Sequence, residues 1–252
     1  MTAEIAERTN GAGGKGGVNS FVLKVIAIIG MTCDHVGIVF SGHLPPLAEN
    51  LLFAPGGLTF PIMAYLLTVG YQHTRDVRRY ALRLFIFALV ALVPFAWAFG
   101  EMRFNVLFTL LIGLGVLYAY DHLKNRALFV LIFVAAIIIS GWCDWSYIGV
   151  PMILCYHVIK DRKLRVIVPV ALAWILMAVE LAALLPTAGE EVIFYNLPAL
   201  LYTFVGCTLT IPLLYFYNDE RGRPLKYFFY TYYPAHLVLL ALIRGLAFGE
   251  WL

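Results

Sequence analysis

Charge is scarce in this chain: Asp, Glu, Lys and Arg make up 13% of its 252 residues, while 62% are hydrophobic. A soluble domain carries about twice that share of charge, and mean hydropathy here is strongly positive, so a water-facing globular protein is excluded. Cysteine is also sparse. Cys33, Cys143, Cys155 and Cys207 show neither paired spacing nor a Cys-x-x-Cys motif, which argues against a disulfide framework and against zinc or another metal. No internal repeat is visible, so the inverted-repeat pattern of many secondary transporters is missing. The opening "MTAEIAERTNGAGGKGGVNS" has no continuous apolar core and no small-residue cleavage pattern, unlike a secretory leader. Residues 1–20 are therefore expected to form a flexible cytoplasmic tail. Its "GGKGG" lacks the spacing and preceding strand of a phosphate-binding loop and reads as a linker. No nucleic acid partner is expected; membrane lipid is.

Apolar runs do abound. They fall near 21–42, 51–70, 80–99, 105–120, 127–141, 146–159, 166–186, 196–217 and 228–247. About 20 apolar residues in a helix cross a hydrocarbon core of about 30 Å, and helices satisfy their own backbone there. The expected fold is all-α: a polytopic transmembrane bundle of about nine spans, eight to ten across alternative drawings, forming one domain over residues 21–252. The sixth run, "SYIGVPMILCYHVI", is short and holds a proline, so it either spans or re-enters. Loops 71–80, 121–126, 160–165 and 218–227, with their flanking turns and the tail, hold all Lys and Arg except Arg103 and Arg244. Lys and Arg collect in short cytoplasmic loops, which puts the N-terminus inside. The alternate loops carry Glu49, Glu101, Asp144, Glu190 and Glu191. Cys143, in one of them, is expected to be within reach of a thiol reagent from outside.

Acids and bases inside apolar runs need a reason, because each costs about 2.5–3.5 kcal/mol at a helix centre. Asp34 and His35 sit side by side in "LKVIAIIGMTCDHVGIVFSG". Neighbours on a helix point about 100° apart, so each must find its partner on another helix. His35 is either a packing residue or a general base whose tautomer is fixed by Asp34 or another neighbour. Arg75, Arg78, Arg79 and Arg83 crowd a second cluster and serve at least as a positive-inside anchor. Arg83 falls inside the third run, where a guanidinium wants an anion: Asp34 across the bundle or a phosphorylated ligand. In "YFFYTYYPAHLVLL", Pro234 precedes His236; a proline at that depth frees a backbone carbonyl and can open a polar pocket. Asn105 and Thr109 form a smaller polar stripe, which can equally be glue between helices. His157 lies near a run's end, where an ordinary interface accounts for it.

Taken in order, "LKVIAIIGMTCDH", "TFPIMAYLLTVGYQHT", "RYALRLFIFALVALVPF", "NVLFTLLIGL" and "YYPAHL" resemble the TraX family, polytopic bacterial inner-membrane proteins named for an F-pilin N-acetyltransferase. That family looks related to membrane acyltransferases that use acyl-coenzyme A, in which a basic residue precedes a catalytic histidine by ten intervening positions. Lys24 and His35 have that spacing. On a helix they share a face and lie about 16 Å apart. The resemblance implies acetyl-coenzyme A as donor, its phosphates held by some of Lys24, Arg75, Arg78, Arg79 and Arg83. It implies catalysis by His35 with Asp34 and His236, and oxyanion hydrogen bonds from His236, Asn105, Thr109 or a tyrosine such as Tyr233. The acceptor is open: a pilin N-terminus, a glycan or another amine or hydroxyl. Two other classes would keep the same polar groups, a proton-coupled transporter and a non-catalytic scaffold of a pilus or secretion system.

Overall fold

The computed structural model describes residues 16–188, 193, 196–224 and 226–251. The expected Glu190 and Glu191 loop and most of the expected tail lie outside them. The described residues form an all-helical bundle: α1 (Ser20–Val39), α2 (Pro46–Gly56), α3 (Thr59–His73), α4 (Val77–Phe99), α5 (Val106–His122), α6 (Arg126–Ser140), α7 (Ser146–Val158), α8 (Arg162–Ala188), α9 (Leu197–Leu200), a π-helical segment (Leu201–Cys207), α10 (Thr208–Tyr215) and α11 (Lys226–Phe248). Polar caps start many of them. Asn19, Asp76, Asn105 and Asn125 each accept a first-turn N–H, answering backbone donors that a helix leaves free. Gly100, at φ 69°, closes α4 in the left-handed conformation that favours glycine.

Among the described residues six helical stretches are long and apolar enough to cross a membrane: Ser20–Val39, Pro46–His73, Val77–Phe99, Arg162–Pro186, Leu197–Tyr215 and Tyr227–Phe248. The runs expected at 105–120, 127–141 and 146–159 are also helical but shorter, at 17, 15 and 13 residues. Helix α7 is enclosed rather than lipid-facing along one side, with Val150, Met152, Ile153 and Tyr156 all buried, and it packs on α3, α5, α6 and α8. The run expected at 51–70 begins earlier, at Pro46, and is broken between α2 and α3. At that break Gly57 meets the π-helical segment so closely that an added Cβ would fall 2.0 Å from the Tyr202 carbonyl oxygen. A Cβ on Gly206 would fall 2.1 Å from that of Ala54.

Around this contact, α1 packs along α2 and α3, and α11 packs along α4 and α1. Arg244 on α11 is buried and donates to the Trp97 and Ala98 carbonyls at 3.1 and 3.0 Å. It supplies a cation and donors where the end of α4 leaves carbonyls unpaired. Arg244 is therefore a clamp between helices. Two expectations change. Cys143 is 2% exposed, held by the pairing of Phe104 with residues 142–144, so it is a poor target for a thiol reagent. The last residues of the expected tail are bonded: Val18 N–H donates to Phe216 O, and Ser20 N–H to Glu220 O, both at 2.9 Å.

The Gly57–Gly206 crossing leaves no room for a methyl, whereas an added Cβ at exposed Gly115 on α5 meets nothing within 4 Å. Gly206→Ala is expected to lower the melting temperature in detergent, because backbone must move. Gly115→Ala should hold or raise it, helix propensity favouring alanine by about 1 kcal/mol.

Candidate functional site

One face of α1 borders two cavities in succession. Residues three or four apart share a helix face. Lys24, Ala27, Ile28 and Met31 line a cavity of about 610 Å³, and Met31, Asp34, His35 and Ile38 line another of about 250 Å³. Met31, Thr59, Val106 and Tyr233 belong to both walls. The two spaces are thus separated by a partition only a few side chains thick.

The larger cavity is basic. Lys24, Arg83, Arg221 and Arg223 stand on its wall against one acid, Asp219. Lys24 Nζ sits 5.4 Å from the centre of the Phe229 ring and the Arg83 guanidinium 5.6 Å from that of Tyr80, contacts that hold a cation without neutralising it. Arg83 Nε is enclosed with no hydrogen-bond partner. Among the described residues neither Lys24 nor Arg83 forms an ion pair. The expected pairing of Arg83 with Asp34 is not made, because each lines a different cavity. Arg75, Arg78 and Arg79 are exposed and off the wall, and Arg79 is engaged by Asp76 at 3.0 Å. Arg221 and Arg223 take their place. Their loop is held against the cavity by its pairing with residues 18–20, and Gly222, at φ 65°, turns the chain between them.

His35 lines the smaller cavity. His35 Nδ1 lies 2.7 Å from His236 Nε2. The rings are within 10° of parallel with centroids 4.9 Å apart; the centroid distance exceeds the N···N distance by about two ring radii, so they lie edge to edge in one plane, the arrangement of an in-line hydrogen bond. His236 Nδ1 is 2.9 Å from the Tyr232 carbonyl oxygen, and the edge of Phe99 closes on His35 at 5.0 Å. His236, not Asp34, is therefore the neighbour bonded to His35. Asp34 packs against Gly56, where a Cβ would come within 2.5 Å of it.

Sequence reasoning treated Asp144 only as a loop charge. It stands on the same wall as Asp34 and His35. Its Oδ1 accepts the Trp145 N–H at 3.0 Å, and its carbonyl oxygen accepts from Thr109 Oγ1. Burial pushes its carboxyl above the usual range, against the opposing pull of that N–H and of Arg103. Trp145 and Ser146 have φ of 64° and 30°, a conformation non-glycine residues rarely adopt, and stacking of Trp145 on Phe60 at 4.3 Å holds it. Such strain often accompanies functional sites, and no sequence signal announces it.

The remaining candidates divide. Tyr233 is 5% exposed and its hydroxyl is enclosed without a partner, at the partition of the two cavities. Asn105 is committed elsewhere: its Nδ2 donates to the Ala88 carbonyl at 2.8 Å and its Oδ1 accepts the Leu107 N–H at 3.1 Å. Asn105 and Thr109 are off both walls; they fix the start of α5 and the Asp144 loop. His157 bonds Asp121 at 2.9 Å, away from both cavities. Among the described residues no group of three or more His, Cys, Asp or Glu could hold a metal ion.

The family model described as "TraX protein" matches residues 20–244. A relative from Dichelobacter nodosus, "Probable fimbrial assembly protein FimC, serogroup H1", is 30% identical over 239 residues, covering 88% of this chain and 94% of its own. No solved structure matches.

A buried acid with a raised pKa binds more protons folded than unfolded, so its contribution to stability falls as pH climbs from the unfolded value through the folded one. Asp144→Asn keeps the acceptor for Trp145 and removes the charge. Its melting temperature relative to wild type is expected to improve as pH rises above about 4, with no such gain in acid, where both forms are neutral.

Proposed function

The chain belongs to the TraX protein family, and from that premise we propose that it is an acyltransferase of the bacterial inner membrane, carrying an acetyl or similar acyl group from acyl-coenzyme A to an acceptor. The observation that carries the proposal is the pairing of two cavities across one thin partition. The first is lined by four cations against a single acid, Asp219. The second holds a histidine with a free ring nitrogen. In this reading the bundle crosses the membrane about nine times, with the N-terminus and the basic cavity on the cytoplasmic side.

The residues fit such a donor. Lys24, Arg83, Arg221 and Arg223 would hold its phosphates, an anion of the kind Arg83 lacks in the bundle. The donor supplies an activated thioester. The apolar partition at Met31 and Val106 keeps water from that bond, and the free hydroxyl of Tyr233 is placed to donate to its oxygen as negative charge grows there. His35 Nε2 takes the proton from the acceptor as the new bond to the acyl carbon forms. It then returns that proton to the departing sulfur, so the cycle closes without net gain or loss of protons. Asp34 and Asp144 stand on the wall beside the histidine, where their oxygens can accept a hydrogen bond from an amine or a hydroxyl acceptor. Given the relative's name, a fimbrial subunit is the first acceptor to test. The same name favours a second reading, a non-catalytic role in fimbrial assembly.

Purified protein in lipid nanodiscs separates the two. Acetyl-coenzyme A binding is expected by calorimetry, weakened roughly tenfold or more in Arg83→Ala by loss of a charged hydrogen bond. His35→Ala should bind the donor as wild type does yet lose about 10²–10⁴ in thiol release with a peptide amine acceptor. Full turnover in His35→Ala would overturn the catalytic assignment, and absence of donor binding would leave the assembly role. Orientation is read at Met102, which is 92% exposed: Met102→Cys should react with an impermeant thiol reagent outside intact spheroplasts. Labelling only after permeabilisation would reverse the topology.

A further inference from the structure

We propose that His236 is a positioning residue that fixes the proton of His35 on Nδ1 and so delivers a bare Nε2 to the cavity; its catalytic consequence rests on the acyl-transfer reading, its structural content does not. The chain of bonds starts at the backbone. A carbonyl oxygen can only accept, so His236 Nδ1, 2.9 Å from Tyr232 O, carries a hydrogen. A neutral imidazole has one N–H, which makes His236 Nε2 an acceptor. That nitrogen faces His35 Nδ1 at 2.7 Å, and two lone pairs cannot sit at that distance, so His35 Nδ1 donates. The lone pair of neutral His35 is then at Nε2. Among the described residues Nε2 has no hydrogen-bond partner, it is not one of the enclosed unpartnered atoms, and its ring lies on the cavity wall.

The surroundings hold this order in place. The Tyr232 hydroxyl is 2.8 Å from Thr32 Oγ1, which donates to the Ile28 carbonyl at 2.8 Å. This ties the turn of α11 carrying His236 to the turn of α1 before His35. The Tyr232 ring lies within 10° of parallel to His236 at 5.1 Å. Against the other side of His35 stands Phe99, which offers no acceptor. Without His236, none of these groups would choose between the two tautomers of His35. With it, the choice passes from a backbone carbonyl through one imidazole to the next, as a carboxylate orients the histidine of a hydrolase.

Nitrogen-15 spectra of histidine-labelled protein in nanodiscs read the tautomer directly, with His35 assigned by its loss in His35→Gln. At neutral pH, wild type is expected to show a protonated Nδ1 and a bare Nε2 at His35. His236→Gln, whose amide oxygen can stand where Nε2 was, should keep that pattern and keep turnover within a few-fold. His236→Leu should shift His35 toward the other tautomer and lower turnover at least tenfold with acetyl-coenzyme A affinity unchanged. A proton on Nε2 of His35 in wild type, or an unchanged His35 spectrum in His236→Leu, would overturn the inference. The wild-type spectrum needs neither a variant nor any activity, so it decides the tautomer even if acyl transfer fails. Conversely, the inference can fail while His35 remains essential.

Discussion

A bond of 2.7 Å between two imidazoles, His35 on α1 and His236 on α11, fixes the middle of this molecule. Each ring alone would be a costly guest in hydrocarbon. Together they answer one another, and the Tyr232 carbonyl answers the second. Much of the bundle serves to hold that line straight. Thr32 and Tyr232 join the two helices a turn away. Arg244 ties α11 to the end of α4, which brings Phe99 against His35. Asn105 reaches back to the Ala88 carbonyl and sets where α5 begins, and Thr109 in turn secures the loop that carries Asp144.

Charge is sorted along the axis of α1. Lys24, Arg83, Arg221 and Arg223 line the larger cavity against one acid, Asp219; Asp34, Glu101 and Asp144 line the smaller one with His35 and a single cation, Arg103. In a low-dielectric interior such separation is strongly felt. Between them stand Met31, Thr59, Val106 and Tyr233, three of them small or apolar enough to exclude water and one with a free hydroxyl. A phosphorylated donor and an amine acceptor approaching from opposite ends would meet there.

Single residues show what the sequence could and could not reveal. Lys24 and His35 share a helix face because eleven positions make about three turns, and that is legible from spacing alone; so is the helical character of every apolar run. The partner of His35 was not. Asp34 is its neighbour in the chain, but His236, 201 positions away, is its neighbour in space, and helix packing rather than periodicity decides that. Asp144, Arg221 and Arg223 looked like ordinary loop charges, since nothing local distinguishes a loop that folds over a cavity from one that faces water. For Asn105 the sequence left two readings open, an oxyanion donor or glue between helices; its cap on α5 and its bond to the Ala88 carbonyl on α4 favour the second.

Sidedness tests the shared partition most directly. Vesicles with the protein in one orientation would be loaded with radiolabelled acetyl-coenzyme A on the side of the basic cavity, with a peptide amine acceptor on the other. Labelled acceptor should accumulate on the far side, and it should not do so when His35 is replaced by alanine. Labelling only when donor and acceptor share one side would contradict a path through the partition between the two cavities.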